Sequence, residues 1–164
     1  MTELSLIHLT RPSTIKENAP MLIMLHGYGS DENDLFSFAS ELPKEFFIIS
    51  VRAPYALQPY GNAWYDINFD ADMNKWSDDK QAIESRDLIS KFIDEACAAY
   101  PVNENNVTLL GFSQGTILSY AVALTYPEKV KNVHDRISVK FRDCRGRTGR
   151  TRSSTGRCSP GAAR

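Results

Sequence analysis

Met21-Leu22-Ile23-Met24-Leu25 is an unbroken apolar run that ends abruptly at His26-Gly27. A strand with no polar side must be covered on both faces, and the usual solution is a parallel sheet between two layers of helices. Residues 46–51 and 106–110 read the same way, and residues 4–9 are aliphatic enough for an edge strand. Helical patterns fall between them. Ser30 is placed to cap a helix that opens on Asp31 and Glu32, turns Leu35, Phe36, Phe38, Ala39 and Leu42 to one side, and stops at Pro43. Ser77 caps a second helix running to about Tyr100, where Ile83, Ile89, Phe92, Ile93, Ala96 and Cys97 recur at the helical period. A third helix follows residue 115, with Ile117, Leu118, Tyr120, Ala121 and Leu124 facing inward, and stops before Pro127. Strands alternating with helices make the fold class α/β, a mostly parallel sheet with helices on both faces.

The chemistry concentrates at Gly111-Phe112-Ser113-Gln114-Gly115, which lies between a strand pattern and a helix pattern. Glycines two residues either side of a serine permit a sharp strand-to-helix turn with close backbone approach. Such a turn lifts the hydroxyl above the sheet and points the next N–H at a developing oxyanion. The bland alternative is an ordinary glycine-rich turn whose serine caps the helix. His26-Gly27-Tyr28-Gly29 supplies a second turn after a buried strand, where backbone N–H groups can face an anion. Ser113 is the candidate nucleophile, and Tyr28 and Gln114 are the candidate oxyanion-hole donors. His26 reads as a loop brace in preference to a catalytic group.

Four segments taken together resemble the phospholipase/carboxylesterase group of α/β-hydrolases, which includes acyl-protein thioesterases. They are residues 26–32 (His-Gly-Tyr-Gly-Ser-Asp-Glu), Arg52-Ala53-Pro54, Ala63-Trp64-Tyr65-Asp66, and the turn around Ser113. The resemblance covers about residues 3–133. It implies hydrolysis of small-molecule carboxylic esters or acyl thioesters through an acyl-serine intermediate, and it places Trp64 near an acyl-binding pocket. No metal or nucleotide motif accompanies these residues, so no cofactor is expected.

Such a reaction needs a histidine to deprotonate the serine and a carboxylate to orient that histidine, in the chain order serine, acid, histidine. Only His134 follows Ser113, and Glu128 is the one acid between them. The family's strand and turn after Val133 are absent. Composition changes at the same place. The whole chain carries a net charge of −1, but residues 1–133 hold ten basic and eighteen acidic residues, whereas residues 134–164 hold nine basic and two acidic ones. Arginine replaces lysine as the dominant base in the second segment, and the apolar period fades after Ile137, Val139 and Phe141. The reading is therefore an incomplete α/β-hydrolase domain over 1–133. Residues 134–164 form an arginine-rich, non-family tail, disordered from about 142. A frameshift that replaced the C-terminal third would produce this pattern, and translation of the neighbouring reading frames across codons 130–164 tests it. Without a following strand, the sheet edge beside residues 107–110 is expected to stay open.

Two other classes of function remain on the table: a non-catalytic acyl-binding relative, and a hydrolase body whose basic tail binds RNA or another polyanion. The tail has no interleaved aromatics beyond Phe141, which argues against base-specific recognition of nucleic acid. Apolar runs of five residues are too short to span a bilayer, and Met1-Thr2-Glu3 does not begin a signal peptide. Three cysteines, Cys97, Cys144 and Cys158, then suit a reducing, cytoplasmic setting.

Overall fold

The computed structural model describes residues 4–69 and 75–135. The elements are, in order, β1 (His8–Arg11), β2 (Ala19–Leu25), α1 (Glu32–Phe36), β3 (Phe47–Val51), β4 (Tyr55–Ala56), β5 (Asn62–Ala63), β6 (Ile67–Phe69), β7 (Lys75–Ser77), α2 (Asp79–Ala99), β8 (Val102–Gly111), α3 (Gln114–Thr125) and β9 (Asn132–Asp135). Five strands form the central sheet in the order β1-β3-β2-β8-β9, and two short hairpins, β4-β5 and β6-β7, lie outside it. β1 runs antiparallel to β3, and every other pair in the sheet is parallel.

The unbroken apolar runs are explained by burial on both sides. Met21, Ile23 and Leu25 of β2 join a core with Ile49, Trp64, Ile89, Phe92 and Leu118, under α2 and α3. Leu22 and Met24 face the other way, onto Leu35 and Ala39, together with Ile48 and Leu110. Pro20 falls where the β2–β8 register shifts between Ala19 and Met21, so its missing N–H interrupts no regular ladder bond. The chain moves outward from β2 to β3, then crosses through α2 to β8 on the opposite side of β2. The ends of β2 and β8 therefore flank the crevice where an α/β sheet commonly binds its ligand.

Several expectations are corrected by the packing. The first helix is capped by Asp31, not Ser30, and ends at Phe36. The Arg11 guanidinium donates to the carbonyls of Ala39, Leu42, Pro43 and Phe46, which holds that stretch as turns. The second helix is capped by Asp78, one residue after Ser77. Ile83 is half-exposed on it, away from the core. On α3 the buried positions are Gln114, Gly115, Leu118, Ser119 and Val122. Ile117, Tyr120 and Leu124 instead face water, Leu124 at 82% exposure. That helix is apolar around its circumference, so period alone could not choose its inner face.

The expected open edge beside β8 is also corrected. β9 pairs with it in parallel, Thr108 opposite Asn132 through Gly111 opposite Asp135. Three of the four β9 side chains are polar, so the strand leaves little apolar signature, and it runs across position 133. The expectations for Ile137, Val139, Phe141, Cys144, Cys158 and the arginine-rich stretch lie outside the described residues.

Helix α3 meets β2 with almost no space between them. A Cβ on Gly115 would stand 1.9 Å from the Leu25 carbonyl oxygen and 2.8 Å from that of His26. These are backbone atoms and cannot swing aside. Gly115→Ala is expected to lower the unfolding free energy by about 3 kcal/mol, read as a drop in the urea midpoint with an unchanged slope.

Candidate functional site

Ser113 has φ 52° and ψ −114°, a left-handed backbone that a non-glycine residue adopts only under local strain. Its side chain makes no capping hydrogen bond to α3, although it occupies the N-cap position. An ordinary capping serine would do the opposite on both counts. Gly111 permits the turn: a Cβ there would lie 2.4 Å from both the Gly115 carbonyl carbon and the Thr116 nitrogen. The result is an exposed serine at the C-terminal end of β8.

The turn after β2 lies directly against it. A Cβ on Gly27 would come within 3.3 Å of the Ser113 Cβ and 2.9 Å of the Phe112 ring. Among the described residues, neither the Tyr28 nor the Gln114 backbone N–H has a hydrogen-bond acceptor. Two unengaged donors thus flank the exposed serine, one from each turn. The next residues are firmly held. The Gly29 N–H donates to the Asn62 carbonyl (3.0 Å), and Ser30 forms an isolated antiparallel bridge with Asn62. Gly61 fits beside Gly29 because any side chain there would strike the Gly29 carbonyl oxygen at 2.2 Å.

The remaining motif residues build the wall behind these turns. His26 is fully buried. Its Nδ1–H donates to the Gly27 carbonyl (2.8 Å), and its Nε2 accepts from the Ala53 N–H (3.0 Å). Burial pushes the His26 pKa down, partly offset by the Gly27 bond and the carboxylates of Asp31, Asp34 and Glu32. With both ring nitrogens engaged by backbone, this imidazole is a brace. Trp64 has 0% exposure, and its indole N–H donates to the His26 carbonyl (2.9 Å). The Gln114 side chain accepts from the Trp64 N–H (3.1 Å) and donates to the Tyr65 carbonyl (2.8 Å). Gln114 therefore anchors its side chain in this wall. Asp66 is tied to α2 through Gln81 (3.0 Å).

Arg52 and Glu32 form the one strongly held ion pair of this wall, with Arg52 Nε 2.6 Å from a Glu32 oxygen. Sequence reasoning quoted both residues without pairing them. They lie twenty positions apart, and only the β2–α1–β3 layout brings them together. Glu32 is buried, and its carbonyl accepts from the Ser50 hydroxyl (2.7 Å).

Glu128, the acid expected between serine and histidine in chain order, lies in the wrong place. It lines a cavity of about 310 Å³ with Cys97, Glu104 and Asn105, beside the start of β8. Seven residues of strand separate Glu104 from Gly111, roughly 23 Å. Glu128 therefore cannot orient a base over Ser113. Cys97 in that cavity is a free thiol whose pKa burial pushes up to about 11, which keeps it protonated and unreactive. Among the described residues no group of three or more His, Cys, Asp or Glu could hold a metal ion. No described helix is long and apolar enough to cross a membrane.

The profile of the phospholipase/carboxylesterase family matches residues 12–135. Acyl-protein thioesterase 1 of Schizosaccharomyces pombe is 31% identical over 120 residues, a match covering 68% of this chain and 52% of that protein. The chain thus spans about half the length of this curated relative. The crystal structure of the Bacillus cereus carboxylesterase superposes with TM-score 0.67 at 23% identity, covering 80% of this chain and 59% of the other. A carboxylesterase from Mesorhizobium loti gives TM-score 0.62 at 24% identity, covering 73% and 55%. At these identities the superpositions establish a shared fold.

The Glu32 carboxyl is held below its ordinary range first by its hydrogen bond from Arg52, against the opposing effect of burial. A depressed carboxyl pKa contributes stability above the unfolded value, 4.5, and loses it as pH falls through the lower folded value. Arg52→Ala strands a buried carboxylate and is expected to cost about 2 kcal/mol at neutral pH, allowing for the exposed side of Arg52. The deficit should begin to shrink in denaturant titrations as pH falls below the unfolded value of 4.5, and vanish as pH falls through the lower folded value of Glu32.

Proposed function

The chain belongs to the phospholipase/carboxylesterase family, and from that premise we propose that it carries the nucleophile and oxyanion hole of serine-dependent ester or thioester hydrolysis. One observation carries the reading: the strained, uncapped backbone of Ser113 sits beside two unengaged N–H groups, those of Tyr28 and Gln114. In the proposed step, Ser113 Oγ forms a bond to the acyl carbon while its proton passes to a base. The carbonyl π pair moves to oxygen, where the two N–H groups stabilise the charge. Collapse breaks the bond to the alcohol or thiol, which departs with a proton and leaves an acyl-serine. Water then repeats the sequence and frees the acid. Trp64 takes part by holding the His26–Gly27 turn through its indole N–H.

The base is the unfilled role among the described residues. His8 is engaged by the Leu6 carbonyl and the Tyr100 hydroxyl, both at 2.8 Å. His26 is locked in the wall, and for His134, in β9 opposite Leu110, the one acid in the required chain order, Glu128, lies beside the start of β8. Loss of the base in a comparable triad costs about 10⁶ in turnover. The chain as written is therefore expected to hydrolyse p-nitrophenyl acetate at close to the background rate. A rate typical of intact esterases, abolished by Ser113→Ala, would overturn that expectation. A chain restored to the length of its relatives is expected to be a serine-dependent esterase, inactivated by fluorophosphonates at Ser113. The same unfilled role favours a second reading, an acyl-binding fold without turnover, and calorimetric binding of an acyl phosphonate that leaves Ser113 unmodified would select it.

A further inference from the structure

We propose that His26 is the positioning residue of the oxyanion hole: its neutral Nδ1–H ring locks the Gly27–Tyr28 turn, and a protonated ring releases it. The proposal rests on the reading of the Tyr28 N–H as an oxyanion donor.

Two backbone groups dictate the ring's state. A carbonyl oxygen only accepts, so the 2.8 Å contact with Gly27 requires a proton on Nδ1. A backbone N–H only donates, so the 3.0 Å contact with Ala53 requires a bare Nε2. The ring thereby joins the turn after β2 to the segment after β3, on the far side of Gly27 from Ser113.

A second ring proton would set N–H against N–H at the Ala53 contact, so something must move. Ala53 is not free to do so. It is buried, and Arg52 before it donates its N–H to the Ile7 carbonyl (2.8 Å) and its guanidinium to Glu32. The ring has no exposed surface and packs against Trp64, centroids 5.7 Å apart. The remaining freedom lies in Gly27 and Tyr28, between a His26 carbonyl held by the Trp64 indole N–H (2.9 Å) and a Gly29 N–H held by the Asn62 carbonyl (3.0 Å), and spanned only by a 3.3 Å bond from the Ser30 N–H to the Gly27 carbonyl. Gly27 faces Phe112 and Ser113 with too little room even for a Cβ, so the turn that carries the Tyr28 donor also adjoins the nucleophile.

The charged groups acting on the ring are the carboxylates of Asp31, Glu32 and Asp34, and Glu32 is already paired with Arg52. From the β5–β6 side the neighbour is uncharged Trp64. Burial outweighs the carboxylates and keeps the ring neutral below the ordinary histidine value of 6.5. The oxyanion hole is then set at neutral pH and released in acid, independently of any catalytic base.

The test is a ¹⁵N NMR titration of the wild-type chain, which needs no substrate. Two-bond ring correlations should show the Nδ1–H tautomer at neutral pH. On acidification His26 should protonate below 6.5. The Tyr28 and Ala53 amide resonances should shift with the same midpoint, while those of Ile23 and Ile48 stay fixed. In His26→Gln the acid-linked Tyr28 shift should vanish, and the Ser30 amide should exchange at least ten times faster. An Nε2–H tautomer, a His26 titration that leaves Tyr28 unmoved, or a ring that stays neutral to acid unfolding would each overturn the proposal. The wild-type titration decides it even if the variant fails to fold. The nucleophile reading fails separately, if fluorophosphonate labelling persists in Ser113→Ala of the restored chain.

Discussion

The contact between the first turn of α3 and the last residues of β2 governs the rest of this structure. Gly115 lies so close to the Leu25 carbonyl that the helix and strand meet backbone to backbone. With the helix held there, the chain leaving β8 at Gly111 has two residues in which to reverse direction. Ser113 takes the left-handed conformation because the space on either side allows no wider turn. The exposed position of Ser113 is thus a product of packing, imposed from the sheet side.

The quoted motif residues acquire a common meaning from this constraint. Ala53, His26, Trp64, Gln114 and Tyr65 form a chain of hydrogen bonds that runs behind the two turns and ties β2, the segment after β3, the β5–β6 connection and α3 to one another, and Arg52 beside Ala53 pairs with Glu32. Buried polar groups of this kind are costly when any member is unpaired, so each partner restricts the others to one arrangement. Among the described residues, the Tyr28 and Gln114 backbone N–H groups take no part in this network.

The elements legible in the sequence were those with a strong local cause. The apolar runs of β2 and β3 could only be strands covered on both sides, and the glycine spacing around Ser113 could only serve a tight turn. Less legible were features decided at a distance. Ser30 and Asp31 are both good helix caps, and the choice between them was made by the Ser30–Asn62 bridge. The first helix stops early because Arg11, more than twenty-five residues away, takes the carbonyls that follow it. The Trp64 indole donates to the His26 carbonyl, a contact that no spacing rule reports. β9 leaves little trace in the sequence because its pairing with β8 comes from the backbone, while its side chains are mostly polar.

The outward side of α3 has a thermal consequence. Ile117, Tyr120 and Leu124 form a stripe along one side of the helix, and the half-exposed Phe112 ring lies just before its start. Apolar surface in water associates more strongly as temperature rises and less strongly on cooling, because its hydration carries a large heat capacity. Solutions of this chain should accordingly stay dispersed best in the cold and cloud on mild warming, before the sheet itself has lost any order.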